Sequence, residues 1–474
     1  MKLPYDPHSK DSIVEYAKKL KGHTLKNICS KEIINHAYSG KGNFGQLLEK
    51  FYFFYQPNSD ACPDFPKAKM ELKSSPLKIV KNKGYKSKER LVLNIINYNE
   101  IITQDFNNSS LWKKNSSLVL VFYLHELGLD VLDYIIKLVG EWQFTQSDLK
   151  IIRNDWQTIK DKITSGKAHE LSEGDTYYLS ACTKGSKGGS LRKQPNSPIL
   201  AKQRAFSLKQ GYVNHIIASL AGTENGLYGQ LLSNQDCFDS FNIENKIQEK
   251  FNLLIGKTDN EIVKILGIKL NKIDKGYHSR ISKEIIDTVF NVPKGRLLED
   301  YIDEFKKAEI TVRTVRLDEN NTPEEDVSFP TFKFNELIEE TWEDSEFKAM
   351  LSRKFLFVFF QRVQDNLILK KIKLWNMPYE HLIDAEAVWE KTKNVVKNGS
   401  IVASIKINKS GKEIRKTNFP NKKFSAVSHV RPHAKNASDT YPLPIEDKVT
   451  HVKNYTKHSF WLNASYIRDN IYLD

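Results

Sequence analysis

The spacing of hydrophobic positions changes several times along the chain, and each change marks an element. From Ser12 to Leu20, Ile13, Val14, Tyr16, Ala17 and Leu20 fall on one helical face. Ser30 is placed to cap a second short helix at Lys31-Glu32-Ile33-Ile34. A glycine-rich turn, Ser39 to Gly45, then leads into a helix from Gln46 to Phe54 with Leu48, Phe51 and Tyr52 inward. From Lys69 to Ser74 the pattern predicts a strand, and Leu77 to Val80 continue it or form the next one. Leu91 to Ile96 are rich in branched residues, and Leu118 to Tyr123 are almost continuously apolar, as expected at the centre of a sheet. Val131 to Phe144 favour a strand over a helix, Ser147 to Ile163 have helical spacing, and Thr176 to Cys182 predict a strand. Strands interleaved with helices predict a mixed α/β sheet with flanking helices.

The pattern then recurs in the same order. Ser30-Lys31-Glu32-Ile33-Ile34 returns as Ser282-Lys283-Glu284-Ile285-Ile286, and Gly45-Gln46-Leu47-Leu48-Glu49 returns as Gly295-Arg296-Leu297-Leu298-Glu299. Met70 to Lys73 are echoed by Ile310 to Arg313, and Leu118 to Tyr123 by Phe355 to Phe360. Phe206-Ser207-Leu208 with Tyr212 is echoed by Phe460-Trp461-Leu462 with Tyr466. An ordered series of echoes predicts two domains of similar fold in one chain. We expect a first domain over residues 1–240, a linker over 241–258 and a second domain over 259–474.

At 474 residues, such a pair has ample chain for two cores. Four scattered cysteines form no CxxC pair, which argues against a zinc module or a disulfide framework and fits a reducing cytosol. Met1 to Asp6 lack the apolar run of a signal peptide, and Phe355 to Phe360 are too short to span a bilayer, so the expected location is cytoplasmic, without a membrane. A net charge of +14 calls for a polyanionic partner, most simply nucleic acid. The charge is clustered. Lys184, Lys187, Arg192, Lys193, Lys202, Arg204 and Lys209 lie between Ala181 and Gln210 with no Asp or Glu. That favours phosphate contact over a merely solvated loop.

Candidate chemistry sits at Pro63-Asp64, six intervening residues, then Glu71-Leu72-Lys73. Asp64 and Glu71 offer hard oxygens to a divalent cation, and Lys73 shares a strand face with Glu71, where an ammonium can hold or deprotonate an attacking water. Alone, such a pattern is more often a solvated strand edge than an active site. The second copy sharpens it. There Glu-x-Lys has become Thr311-x-Arg313, and the segment that carries Asp64 is absent. One copy keeps the groups hydrolysis needs and the other has lost them.

On these residues the chain resembles the MutH-like GATC endonucleases, and in particular their two-domain Sau-type restriction enzymes. Lys41-Gly42, Gly45-x-Leu47-Leu48-Glu49 and Pro63-Asp64…Glu71-Leu72-Lys73 follow the family's order. Lys86 to Tyr98, Gly166 to Gly174, Ser190-Leu191-Arg192 and Ala201 to Lys209 look like the Sau-type group specifically. The resemblance implies a PD-(D/E)xK fold, present twice in tandem. It implies Mg²⁺ as cofactor, held by Asp64 and Glu71 with Glu49 as a further helix carboxylate. Lys73 would be the water-positioning lysine, and Lys114 a second catalytic lysine, with Lys113 as its alternative. Lys41 and Gly42 match positions that touch DNA. The family's Arg-Pro-Lys reading loop is replaced in the first domain by Cys182-Thr183-Lys184-Gly185 but kept in the second as Arg431-Pro432-His433. Lys184, Arg204 and Ser207 are then the first domain's candidates for reading guanine, with Arg431 and His433 in the second.

The implied activity is that of a type II restriction endonuclease that cuts double-stranded DNA before the G of GATC and leaves 5′-phosphates. Its degenerate second domain would bind an effector GATC site. The partners implied are GATC-containing DNA and, functionally rather than physically, a cognate methyltransferase. The free chain is expected to be a monomer. With one catalytic set per chain, a double-strand cut takes a dimer or looped complex on DNA, or two successive nicks. The alternatives are a mismatch-repair nicking enzyme and a non-catalytic GATC-binding regulator.

Overall fold

The computed structural model describes residues 3–29, 33, 43–56, 62–80, 84–184, 190–223, 228–232, 242–269, 277–407, 411 and 413–474. The chain folds as two compact units. Residues 1–241 with 303–309 form the first, and residues 242–302 with 310–474 form the second.

In the first unit, β1 (Glu71–Val80), β2 (Gly84–Ser87), β4 (Leu118–Leu124) and β5 (Ile136–Trp142) make one mixed sheet, and β3 (Leu91–Ile95), β6 (Leu179–Thr183) and β9 (Arg204–Leu208) make a second. The strands β7 (Leu191–Gln194) and β8 (Ser197–Lys202) form a separate hairpin. The first sheet runs in the order β2-β1-β4-β5, with β1 parallel to β4 and its other pairs antiparallel. The apolar run at Leu118 takes the inner position, as its lack of alternation demands. Val119 and Val121 meet Ile13, Val14 and Ala17 from helix Lys10–Lys18, and Leu47 and Leu48 from helix Asn43–Phe51. Of the two readings of Leu77 to Val80, continuation is the one that holds. β1 continues through Pro76, and the Pro76 carbonyl accepts from the Lys88 N–H at 3.0 Å. The strand expected from Val131 is shorter, because Val131–Asp133 form a single 3₁₀ turn.

The second unit repeats this topology. β10 (Thr311–Leu317), β12 (Phe355–Val363) and β13 (Asn366–Trp375) form one sheet, with β10 parallel to β12. β11 (Val327–Phe332), β16 (Ser428–Pro432) and β19 (His458–Leu462) form the other, in the order β11-β19-β16, matching β3-β9-β6. β14 (Val402–Ile407) pairs with β15 (Glu413–Thr417), and β17 (Thr440–Pro442) with β18 (Asn454–Thr456). Each unit carries one 19-residue helix, Gln146–Thr164 and Tyr379–Lys397. Register makes the equivalences explicit. Glu71 lies opposite Leu118 as Thr311 lies opposite Phe355, and Cys182 lies opposite Ala205 as Arg431 lies opposite Ser459.

Two details differ from the expected boundaries. The stretch read as a linker contains helix Ile243–Phe251, capped by Asn242 and burying Ile243, Ile247 and Phe251. Residues 303–309, expected in the second half, belong to the first unit, where Lys307 pairs with Asp148 at 3.0 Å. Among the described residues, no helix is long and apolar enough to cross a membrane.

Candidate active site

Six residues separate Asp64 from Glu71, and the backbone uses them to fold back on itself. Phe65 and Met70 pair as an antiparallel bridge, with N–H···O distances of 2.9 and 3.2 Å. Lys69 takes a left-handed φ of +52° to close the turn. The bridge sets Asp64 beside the first residue of β1. The Asp64 N–H donates to Glu71 Oε2 at 3.0 Å, and Asp64 Oδ2 accepts from the Leu72 N–H at 3.0 Å. Strand alternation returns Lys73 to the Glu71 face, where its Nζ donates to Glu71 Oε1 at 2.6 Å. Lys114, near the end of helix Ser110–Asn115, brings its Nζ to 3.7 Å from the same oxygen. Lys113 is exposed on that helix, so the structure brings Lys114 and not Lys113 to the cluster.

Glu49 approaches from helix Asn43–Phe51. That helix lies close against β1, since a Cβ on Gly45 would stand 3.3 Å from Ser74 Oγ. Burial chiefly, with the Asp64 and Glu71 charges, pushes the Glu49 carboxyl up to about 7, while Lys73 and Lys114 pull it down. Glu71 is only 2% exposed. Burial raises its carboxyl as well, opposed first by Lys73 and reinforced by Asp64. Three carboxylates crowded into a partly buried place resist full ionisation until a cation joins them. Tyr55 joins the site without having been foreseen. Its buried hydroxyl lies near Asp64 without reaching hydrogen-bond geometry, and burial first, then the Asp64, Glu49 and Glu71 charges, raises its pKa and keeps it protonated. No spacing in the sequence points to it.

Among the described residues, no three His, Cys, Asp or Glu side chains converge into a ready-made metal cage. The donor set still suits Mg²⁺, which typically takes one or two carboxylates and fills its shell with water and substrate phosphate. Asp64 and Glu71 supply such a pair, and Glu49 adds negative charge nearby.

The DNA-contact candidates fare unequally. Lys41 and Gly42 lie outside the described residues. Lys184 follows β6, half-buried, with its backbone N–H on the Gln203 carbonyl at 2.8 Å. Arg204 and Ser207, expected as candidate guanine readers, face inward in this structure. Arg204 is 4% exposed and donates to the Ala181 carbonyl at 2.8 Å, while the fully buried Ser207 hydroxyl pairs with that of Ser180 at 2.9 Å. Neither offers a donor to solvent. In the second unit, Arg431 stacks over Trp461 at 3.8 Å and pairs with Asp326 at 3.1 Å. His433 is exposed and shares a hydrogen bond with Ser459 Oγ at 2.8 Å.

Comparison with known proteins identifies the family of the chain. The family model described as "DNA mismatch repair enzyme MutH" matches residues 53–155, which hold Asp64, Glu71, Lys73 and Lys114. The chain is 35% identical over 490 residues to the type II restriction enzyme Sau3AI of Staphylococcus aureus, covering 98% of each chain. It is 28% identical over 159 residues to the DNA mismatch repair protein MutH of Buchnera aphidicola subsp. Baizongia pistaciae, covering 32% of this chain and 70% of that one.

Proposed function

The chain belongs to the MutH-like restriction endonucleases of the Sau3AI type, and on that premise we propose that it hydrolyses double-stranded DNA before the G of GATC, with Mg²⁺. That it is a site-specific deoxyribonuclease follows from the family; target, metal and control are the proposal. The observation that carries it is the gathering of Asp64, Lys73 and Lys114 about one buried carboxylate, Glu71.

Asp64 and Glu71, with Glu49 as the third carboxylate, would hold Mg²⁺, which when bound supplies a more acidic water and positive charge for the phosphate oxygens. Lys73 holds its ammonium where it orients the attacking water and balances the charge that develops. Water adds to phosphorus, the 3′-oxygen leaves with a proton, and the product carries a 5′-phosphate. Lys114 adds a second positive charge to the same carboxylate. The second unit, with Thr311 and Arg313 where the first has Glu71 and Lys73, would bind a further GATC site and favour cleavage of two-site DNA.

Similarity of residues 53–155 to MutH supports a nicking enzyme as the second reading. Similarity to a restriction enzyme over 98% of the chain, second unit included, favours the first. The test is digestion of a GATC plasmid with end mapping. Asp64→Ala and Lys73→Ala should abolish cleavage and keep GATC binding in Ca²⁺, and a Lys73→Ala enzyme that cuts at the normal rate would overturn the assignment. Equal rates on one-site and two-site plasmids would remove the effector role.

A further inference from the structure

The second unit keeps the frame of the catalytic centre and changes its charges. The Thr311 N–H donates to the Lys354 carbonyl at 2.9 Å, as the Glu71 N–H donates to the Ser117 carbonyl at 3.0 Å. Thr311, Val312 and Arg313 therefore stand where Glu71, Leu72 and Lys73 stand in the first unit. A carboxylate still accepts from the middle N–H of this strand, but from a new source. In the first unit Asp64 takes the Leu72 N–H, and in the second Glu299 takes the Val312 N–H at 3.2 Å. Glu299 comes from the short helix Leu298–Tyr301, so the helix acid echoed in sequence with Glu49 does the backbone work of the missing Asp64. The lysine of the preceding helix is gone as well. Counted from the capping serines Ser109 and Ser345, Lys114 corresponds to Met350.

Two arginines lie at and beside the end of this strand. Arg313 is half-buried, and its guanidinium donates to the Val312 carbonyl at 3.1 Å. Arg353, on the turn just before β12, is near enough for its charge to oppose that of Arg313, while Glu299 supports it. The first unit gathers Asp64, Lys73 and Lys114 about the Glu71 carboxylate. The second places Arg313, with Arg353 nearby, beside the Glu299 carboxylate. Pro293 to Leu297, which lead into the short helix, are exposed, with Lys294 and Arg296 on either side of Gly295.

We propose that this degenerate centre is a metal-independent phosphate clamp, in which Arg313 and Arg353 grip the backbone of a second DNA duplex where the first unit would use a metal ion. The inference rests on the reading that the second unit binds DNA. Guanidinium groups suit the role, because their planar donors match phosphate oxygens and stay charged at any working pH. With the water-activating lysine replaced by Arg313 and Glu71 by Thr311, bound phosphate stays uncut.

The experiment uses the full chain carrying Asp64→Ala, titrated with a labelled GATC duplex in EDTA and again in Ca²⁺, at several salt concentrations. Two duplexes per chain are expected, the second with equal affinity in both buffers. Arg313→Gln should weaken the second duplex about tenfold and lower the salt slope by about one. Arg353→Gln, on a turn rather than in the strand, repeats the test should Arg313→Gln fail to fold. If two duplexes bind and neither variant alters affinity or slope, the clamp is overturned while DNA binding by the second unit stands. A second duplex that needs Ca²⁺ also overturns it. If the parent chain binds one duplex only, the underlying reading falls and takes the clamp with it.

Discussion

At the scale of single residues, the site turns on Glu71. Both its oxygens accept hydrogen bonds, from the Asp64 N–H at 3.0 Å and from Lys73 at 2.6 Å. A carboxylate this buried is tolerable only when paired. Lys114 stands 3.7 Å from Glu71 Oε1, beyond hydrogen-bond reach of that oxygen where Lys73 is at 2.6 Å, so its loss should hurt less than that of Lys73. We expect Lys114→Ala to lower the single-turnover cleavage rate by about 10- to 100-fold, and the exposed Lys113→Ala to leave it within about twofold. The reverse ranking would assign the wrong lysine. Ser207, by contrast, spends its hydroxyl on Ser180 inside the second sheet. Ser207→Ala should cost about 1 kcal/mol of stability and leave GATC selectivity unchanged in a digest of near-cognate sites. Altered selectivity would mean that Ser207 reads bases after all.

At the scale of elements, the motif depends on a turn that closes correctly and on a strand that keeps its register. The alternation of Glu71 and Lys73 was legible in sequence, because side chains two apart on a strand must share a face. The bridge between Phe65 and Met70 was not, because it depends on backbone pairing and on Lys69 accepting a left-handed φ. Burial of Arg204 and Ser207 was also hidden. Period alone fixes alternating faces, while the neighbouring strands decide which face is covered. Gly211, in helix Gln210–Leu220, shows how closely residues 303–309 are held. A Cβ there would lie 2.6 Å from the Lys306 carbonyl oxygen and 2.7 Å from that of Lys307. Gly211→Ala should therefore cost about 1–3 kcal/mol and raise amide exchange across 303–309. Unchanged exchange would show that the helices adjust without strain.

At the scale of the whole molecule, the two units repeat one topology and differ in their ionisable groups. His458 of β19 is buried in the second unit, where burial lowers its pKa from 6.5 to about 4, partly offset by the Thr456 carbonyl. Below pH 6.5 the unfolded chain takes up a proton that the folded unit refuses. Stability then falls as pH drops from about 6.5 towards 4, by on the order of 3 kcal/mol in total. Urea unfolding of the full chain across this range should show the slope, and His458→Gln should flatten it. An equal slope in both proteins would place the acid sensitivity elsewhere. The ordered echoes that announced two copies survive as shared register, with Phe206, Ser207 and Leu208 standing where Phe460, Trp461 and Leu462 stand.

The sequence by itself determined the doubled pattern, the apolar inner strands, the basic charge and the Asp64, Glu71 and Lys73 spacing, because these reside in residue order and local period. Tertiary structure alone decided that Lys114 and not Lys113 reaches Glu71, that Arg204 and Ser207 turn inward, that residues 303–309 join the first unit, and that Glu299 takes over a backbone hydrogen bond from Asp64's position. Each of these depends on what distant segments bring alongside, and covalent spacing carries no record of that.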